Sequence, residues 1–250
     1  MQPALSGSGS QVQSSNGQVS LTISPGENEY ANAQIDDYQN SSRSRFPWSP
    51  PLRLSLEART RACDPPGTLG FGFWNDPFTL SIGQGGAARR FPTLPQALWF
   101  FYGSAPNDFG FHHNQEPRWR AVSIRSIRFP ALLIAPAAAA GFLLSTIPLI
   151  RKPVIRTGLR LLNASEQGIT APMNTWHHYE LEWQSTYARF FLDDSLLMQS
   201  TQPPQGPLGF IAWIDNQFAV VSPENGIRFG ILENYKERTL SLRDLRIQRL

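Results

Sequence analysis

Residues 52–61 alternate apolar and polar positions almost without a break. Leu52, Leu54, Leu56 and Ala58 fall on one face, and Arg53, Ser55, Glu57 and Arg59 on the other. That two-residue period belongs to a strand with one buried face. It constrains the fold more than any other feature, because such a strand needs a sheet and a second layer to cover its apolar side. Residues 176–183 behave likewise, with His177, Tyr179, Leu181 and Trp183 opposed to Trp176, His178, Glu180 and Glu182. Residues 187–192 follow after Gln184-Ser185-Thr186, a hairpin-length connection, and Asp193-Asp194-Ser195 supplies the next turn. Residues 208–214 form a short apolar run opened by Gly206-Pro207. Near the end, Leu240 and Leu242, then Leu245 and Ile247, step two apart. Strands broken by Pro and Gly turns imply an all-β sandwich.

The 250 residues suffice to bury a sizeable core within one all-β domain. Residues 1–20 contain six Ser, four Gln, three Gly and one Asn, and the first charge is Glu27. This composition reads as a flexible tail, leaving 21–250 as the sandwich domain. The tail lacks the basic and apolar blocks of a signal peptide. The single Cys63 has no internal disulfide partner. Together these features lead to the expectation of a cytoplasmic protein, peripheral to a membrane if it meets one.

Charge is unevenly spread. Between Arg118 and Ser165 lie eight basic residues and no acid, which leaves 14 basic against 19 acidic residues elsewhere. Inside this stretch, residues 129–150 carry no charge and include Pro136-Ala137-Ala138-Ala139-Ala140-Gly141-Phe142-Leu143-Leu144. A membrane-spanning reading fails, because strands of one sandwich lie on both sides and Pro130, Pro136 and Pro148 interrupt the run. Residues 129–165 are read instead as a basic and apolar helical insert. Pro153 suits a first helical position, and Lys152, Arg156 and Arg160 recur at every fourth residue, making a basic stripe. Basic and apolar surface together suits an anionic membrane surface or an amphiphilic ligand. Nucleic acid is not expected, since its sites interleave basic with polar residues.

Several segments resemble the concanavalin A-like jelly rolls, above all those related to the family-16 glycoside hydrolases. They are Leu54-Ser55-Leu56-Glu57-Ala58-Arg59-Thr60-Arg61 followed by Pro66-Gly67-Thr68-Leu69-Gly70-Phe71-Gly72-Phe73-Trp74, the Trp176–Trp183 run with Ala188-Arg189-Phe190-Phe191-Leu192-Asp193-Asp194, and Pro207-Leu208-Gly209-Phe210-Ile211-Ala212-Trp213-Ile214-Asp215-Asn216-Gln217 with the final strand. The resemblance covers roughly 45–120 and 170–250. It implies a jelly-roll β-sandwich to which the short helical apolar insert has been added. Family-16 enzymes carry a Glu-x-Asp-x-(x)-Glu strand, whose paired carboxylates lie about 5–5.5 Å apart as nucleophile and acid/base. The segment in that position here is Ala97-Leu98-Trp99-Phe100-Phe101-Tyr102-Gly103-Ser104, without an acid. That hydrolytic route therefore has no nucleophile.

Two clusters combine an aromatic with polar side chains: Trp74-Asn75-Asp76 and Trp213 with Asp215-Asn216. As binding groups, the indoles would stack on a sugar face while the carboxylates and carboxamides hydrogen-bond hydroxyls. Trp99, Phe101 and Trp119 join them by neighbourhood. His112-His113-Asn114-Gln115-Glu116 offers ligand-type side chains, but without a second cluster it reads as a polar loop, and no metal or cofactor is expected. His177 reads as a hydrogen-bonded structural histidine, and Trp176 and Trp183 as core.

The resulting expectation is non-catalytic binding of a carbohydrate, glycoconjugate or amphiphile in an aromatic-lined cleft. Its contacts would be Trp74, Asn75, Asp76, Trp99, Phe101, Trp119, Trp213, Asp215 and Asn216. Phe142, Leu143, Leu144, Lys152, Arg156 and Arg160 would form a lid or a peripheral membrane contact. Two alternatives stand beside it. One is an enzyme of different mechanism using Asp76, Asp108, Asp215 or His112; the other is a scaffold whose insert docks a protein.

Overall fold

The computed structural model describes residues 1–26, 29–77, 90, 93–109, 118–127 and 131–250. Two antiparallel seven-stranded sheets stack face to face. In chain order the strands are β1 (Gln2–Ser6), β2 (Gln11–Ser15), β3 (Gln18–Ile23), β4 (Asn32–Asp36), β5 (Leu52–Thr60), β6 (Thr68–Trp74), β7 (Ala97–Gly103), β8 (Trp119–Ser126), β9 (Leu162–Gly168), β10 (His177–Trp183), β11 (Ala188–Leu192), β12 (Ser195–Ser200), β13 (Gly209–Asp215), β14 (Gln217–Ser222), β15 (Gly226–Ile231) and β16 (Arg238–Arg249). The first sheet runs β1-β4-β13-β6-β7-β8-β9 and the second β12-β11-β10-β5-β16-β3-β2, while β14 and β15 form a separate hairpin. Two helices, α1 (Ala131–Ser145) and α2 (Pro148–Leu159), lie between β8 and β9. The architecture is the concanavalin A-like jelly roll with a helical insert.

The alternating residues of β5 and β10 bury Leu52, Leu54, Leu56, Tyr179, Leu181 and Trp183 between the sheets. Leu69, Phe71 and Phe73 of β6 and Leu98, Phe100 and Tyr102 of β7 meet them from the other side. Rings interlock at the centre: Tyr179 packs on Phe71 at 5.1 Å and on Phe100 at 5.0 Å, and Phe73 lies 5.7 Å from Trp183. The two edge-to-face contacts of Tyr179 add to plain burial. The break in step between Leu242 and Leu245 is a register shift in the pairing of β16 with β5, between Arg243 and Arg246. Asp244, within this bulge, takes φ +52°.

Four expectations are corrected. Residues 1–20 are not a tail, because β1 pairs with β4 and β2 pairs with β3 in the second sheet. The polar composition conceals Val19, Leu21 and Ile23, which step two apart, and an Asn16-Gly17 turn with φ of +51° and +77°. Both residues take the left-handed conformation that a tight hairpin demands. The helical insert is shorter than expected, since β9 begins at Leu162 and completes the edge of the first sheet. Pro148, not Pro153, stands at the start of α2, and Pro153 is accommodated inside it. Trp176 is not core: its ring lies on the outside of the second sheet between the Arg59 and Arg243 guanidiniums, at 4.8 and 4.3 Å.

Candidate binding face

Strand β7 is apolar on both faces, and the outer face of the first sheet explains why. Turned away from the core are Trp74 of β6, Trp99 and Phe101 of β7, Val122 and Ile124 of β8, and Ile211 and Trp213 of β13. The four large rings form one platform. Trp99 sits at its centre, 5.7 Å from Trp74, 5.7 Å from Phe101 and 5.5 Å from Trp213. Trp74, Trp99 and Phe101 are half-buried, leaving ring surface to solvent, whereas Trp213 is 8% exposed.

Glycines on β6 make room for these rings. Gly70 is paired with both Trp213 and Phe101, and Gly72 with both Ile211 and Trp99. A strand with no side chains at these points leaves a trough into which neighbouring rings lean. The indole of Trp213 is held at its edge: Nε1 donates to Thr68 Oγ1 at 3.0 Å, and that hydroxyl donates to Asp215 Oδ1 at 2.7 Å. Trp74 donates from Nε1 to the Tyr38 hydroxyl, and Tyr38 packs against Phe46 at 4.8 Å.

Of the nine expected contacts, Trp74, Trp99, Phe101 and Trp213 converge on this platform. Trp119 does not. It lies inside the sandwich, 4% exposed, with Nε1 donating to the Tyr179 hydroxyl at 3.2 Å. Strand parity decides this, because Trp119 and Arg120 are neighbours on β8 and face opposite ways. Arg120 is the one beside Phe101 on the outer face, where it pairs with Glu166 of β9 at 2.9 Å.

The polar candidates are architectural. Asn75 donates from Nδ2 to the Leu94 carbonyl and accepts from the Gln96 amide, each at 2.9 Å. Asp76 takes φ +46° and pairs with buried Arg90, whose guanidinium also donates to the carbonyls of Tyr38, Gln39 and Ser41. Burial pushes the Asp76 carboxyl up, against the opposing pull of Arg90 and Arg43. Asn216, 1% exposed, donates to the carbonyls of Glu29 and Leu232 and accepts from the Ala31 amide. Asp215 accepts from Thr68 and Gln217, and burial pushes its carboxyl up to about 6. Asp76 and Asp215 never meet, because Trp74 pairs with Gly209 and Thr68 with Asp215, at opposite ends of the strands. Six residues of strand between them amount to about 20 Å.

Of the other acid–base candidates, Asp108 bridges to Val220 of β14, and its carboxylate accepts from Asn225 Nδ2 at 3.1 Å. The 112–116 cluster lies outside the described residues. His177 hydrogen-bonds Thr175 at 2.9 Å and Asp193 at 2.7 Å in a surface turn. Among the described residues no three His, Cys, Asp or Glu side chains are placed to share a metal ion.

Sequence reading missed Tyr38, Phe46, Phe109 and the Arg120–Glu166 pair. Phe109 packs edge-on against Phe101 at 5.5 Å, and Asn107 Oδ1 accepts from the Ala219 amide of β14. Residues 107–109 thus tie the β14–β15 hairpin to the rim of the platform. The insert in turn packs on that hairpin. Arg151 Nη2 donates to the Glu224 carbonyl at 3.2 Å, and Arg156 lies 3.8 Å from the Glu224 carboxylate. The insert therefore reaches the platform's rim through this hairpin, yet Phe142, Leu143 and Leu144 stand exposed and do not close over the rings. A cavity of about 900 Å³ also opens beyond the Ser126 end of β8, lined by Gln96, Arg125, Arg160, Asn163 and Gln202. Its carboxamides are engaged with the protein: Gln96 donates to Ser126, and Asn163 to Gln202.

No protein-family model matches the chain, and neither does any curated protein sequence. The fold does match solved structures. A κ-carrageenase from Zobellia galactanivorans superimposes with a TM-score of 0.51 at 11% identity, covering 95% of this chain and 81% of its own. A laminarinase from Flavobacterium sp. UMI-01 gives 0.46 at 10% identity over 95% of this chain and 81% of that one. A sialidase gives 0.42 at 7% identity over 99% of this chain, which spans only 17% of the sialidase. At these identities the likeness is one of fold.

Proposed function

We propose that the outer face of the first sheet binds a carbohydrate or glycoconjugate and does not cleave it. The observation that carries this reading is the ring platform in which half-buried Trp74, Trp99 and Phe101 pack around buried Trp213. The sequence resemblance implies that this is the face on which family-16 enzymes hold their carboxylates. Indoles offer flat apolar surface to the C–H faces of sugar rings, and a few polar groups at the rim supply orientation. Arg120 and Glu166 stand at that rim. Strand β7 contributes no acid, and Asp76 and Asp215 lie too far apart to act on one bond. The rings would equally accept the apolar portion of a glycolipid.

The test is intrinsic tryptophan fluorescence on titration with κ-carrageenan oligosaccharides and, as an uncharged counterpart, laminarin oligosaccharides. Saturable quenching is expected with at least one of them. Trp99→Ala should weaken it by roughly five- to tenfold, on the order of 1–1.5 kcal/mol for one stacked ring. Quenching that survives this substitution would remove the platform as the binding site. New reducing ends after prolonged incubation would overturn the non-cleaving assignment.

A further inference from the structure

We infer that the tip of the helical insert docks on an anionic lipid surface. Helix α1 reads ALLIAPAAAAGFLLS, apolar on every side. A helix of that kind normally lies inside a protein. Here apolar residues of its last turn, of the link and of the first turn of α2 stand exposed, with Phe142 at 47%, Leu143 at 66%, Leu144 at 43%, Ile147 at 46% and Leu149 at 90%. Five large apolar side chains at the end of one helical hairpin need a cover.

Two observations identify that cover as lipid. The first is charge. Leu149, Lys152, Arg156 and Arg160 fall at i, i+3, i+7 and i+11, along one stripe of α2. With a rise of 1.5 Å per residue, Lys152 sits about 5 Å, Arg156 about 10 Å and Arg160 about 16 Å from Leu149 along the axis. An apolar tip followed by long cationic side chains is the order in which acyl chains and headgroups are met on approaching a bilayer. Among the described residues Glu224 is the acid that reaches the insert, beside Arg156. Lys152 and Arg160 have no acidic partner among the described residues. The stripe thus complements anionic headgroups.

The second is the state of the backbone. A helix end ordinarily leaves its last carbonyls to water. At this tip three of them are satisfied internally: Phe142 O accepts from Ser145 Oγ at 2.7 Å, Leu143 O from the Thr146 amide and hydroxyl, and Leu144 O from the Ile147 amide. Ile147 O accepts from the Ile150 and Arg151 amides, and Pro148 has no N–H to offer. Peptide groups that already have partners can leave water for an apolar layer without the cost of unmade hydrogen bonds. Among the described residues no helix is long and apolar enough to cross a membrane, so the tip would enter the interface and stop there.

The full-length chain is to be sedimented with vesicles of phosphatidylcholine alone and of phosphatidylcholine with about one-third phosphatidylserine. Binding is expected with the anionic vesicles and should fall as salt is raised towards 0.5 M, where screening shortens to roughly 4 Å. The double variant Leu143→Glu, Leu149→Glu should lower the bound fraction at least tenfold, and Lys152→Glu should lower it severalfold. Both leucines are exposed, so near-UV circular dichroism should show the wild-type signature in the variant. Failure of the folded wild type to sediment with anionic vesicles overturns the inference, as does binding that the double variant retains. A wild-type dimer in analytical ultracentrifugation that the double variant dissolves, without vesicle binding, would assign the patch to a second copy and overturn it as well. None of these readouts depends on glycan binding.

Discussion

The Trp213 indole lies over the α-carbon of Gly70: a β-carbon at that position would come within 2.8 Å of Cη2 and 2.3 Å of the Phe100 carbonyl oxygen. The bare strand and the ring across it are therefore one device. Glycine is used here for close approach and not for an unusual backbone angle.

Gly70→Ala should destabilise the fold by about 2–3 kcal/mol, the cost of overpacking where backbone blocks relaxation. It should also tilt Trp213 and weaken glycan binding. Gly17→Ala is the contrast, because nothing lies within 4 Å of a β-carbon there and only φ of +77° opposes it. That variant should cost about 1 kcal/mol and leave binding unchanged. Urea denaturation separates the two, and equal losses would refute the close-approach account.

Arg90 joins Asp76 to the backbone of residues 38–41, with 5% of its side chain exposed. Arg90→Met leaves a buried carboxyl without its partner and should cost about 3–5 kcal/mol. Asp76→Asn should cost less, since Arg90 keeps its three carbonyl acceptors. Chemical denaturation of both variants checks the order, and a larger loss for Asp76→Asn would place the weight of this junction on the carboxylate instead.

Asp215 makes stability depend on pH. Its carboxyl titrates near 3.8 when unfolded and, through burial, at about 6 when folded. Between these values the folded protein keeps a proton that the unfolded chain has released. Its contribution is therefore full below about pH 4 and lost as pH rises through about 6, on the order of 2–3 kcal/mol. Arg238, lowered by burial to about 10, stays charged across this window and adds no slope. Asp215→Asn cannot titrate, so its melting temperature should vary less between pH 4 and 7 than that of the wild type. Parallel profiles would count against the shift.

The first strands offer a simpler check. Val19, Leu21 and Ile23 belong to β3, which is paired on both sides by β2 and β16. Their amides should exchange with solvent far more slowly than those of the edge strand β2. Fast exchange throughout residues 1–23 would restore the flexible tail.

Much of the second sheet was legible along the chain. β5 and β10 have one dry and one wet face, so each side chain reports its own environment, and a period of two appears directly in the residue types. The bulge of β16 was visible as a missed step between Leu242 and Leu245. The binding face was only half legible. The sequence grouped Trp74, Trp99, Phe101 and Trp213 in one aromatic cleft, but apolar residues on both sides of β7 erase the alternation, so which face of the sheet carries the cleft could not be read. For Trp119 the same loss of contrast led to the wrong face.

By itself, then, the sequence determined the sandwich, the absence of acids from β7 and the basic, apolar character of the insert, because local pattern and composition carry those properties. Tertiary structure alone decided that Trp74, Trp99, Phe101 and Trp213 lie on the outer face of the first sheet, that Trp119 turns into the core, and that Asp76 and Asp215 stand at opposite ends. Strand order and register set those distances, and they arise from pairing between residues far apart in the chain.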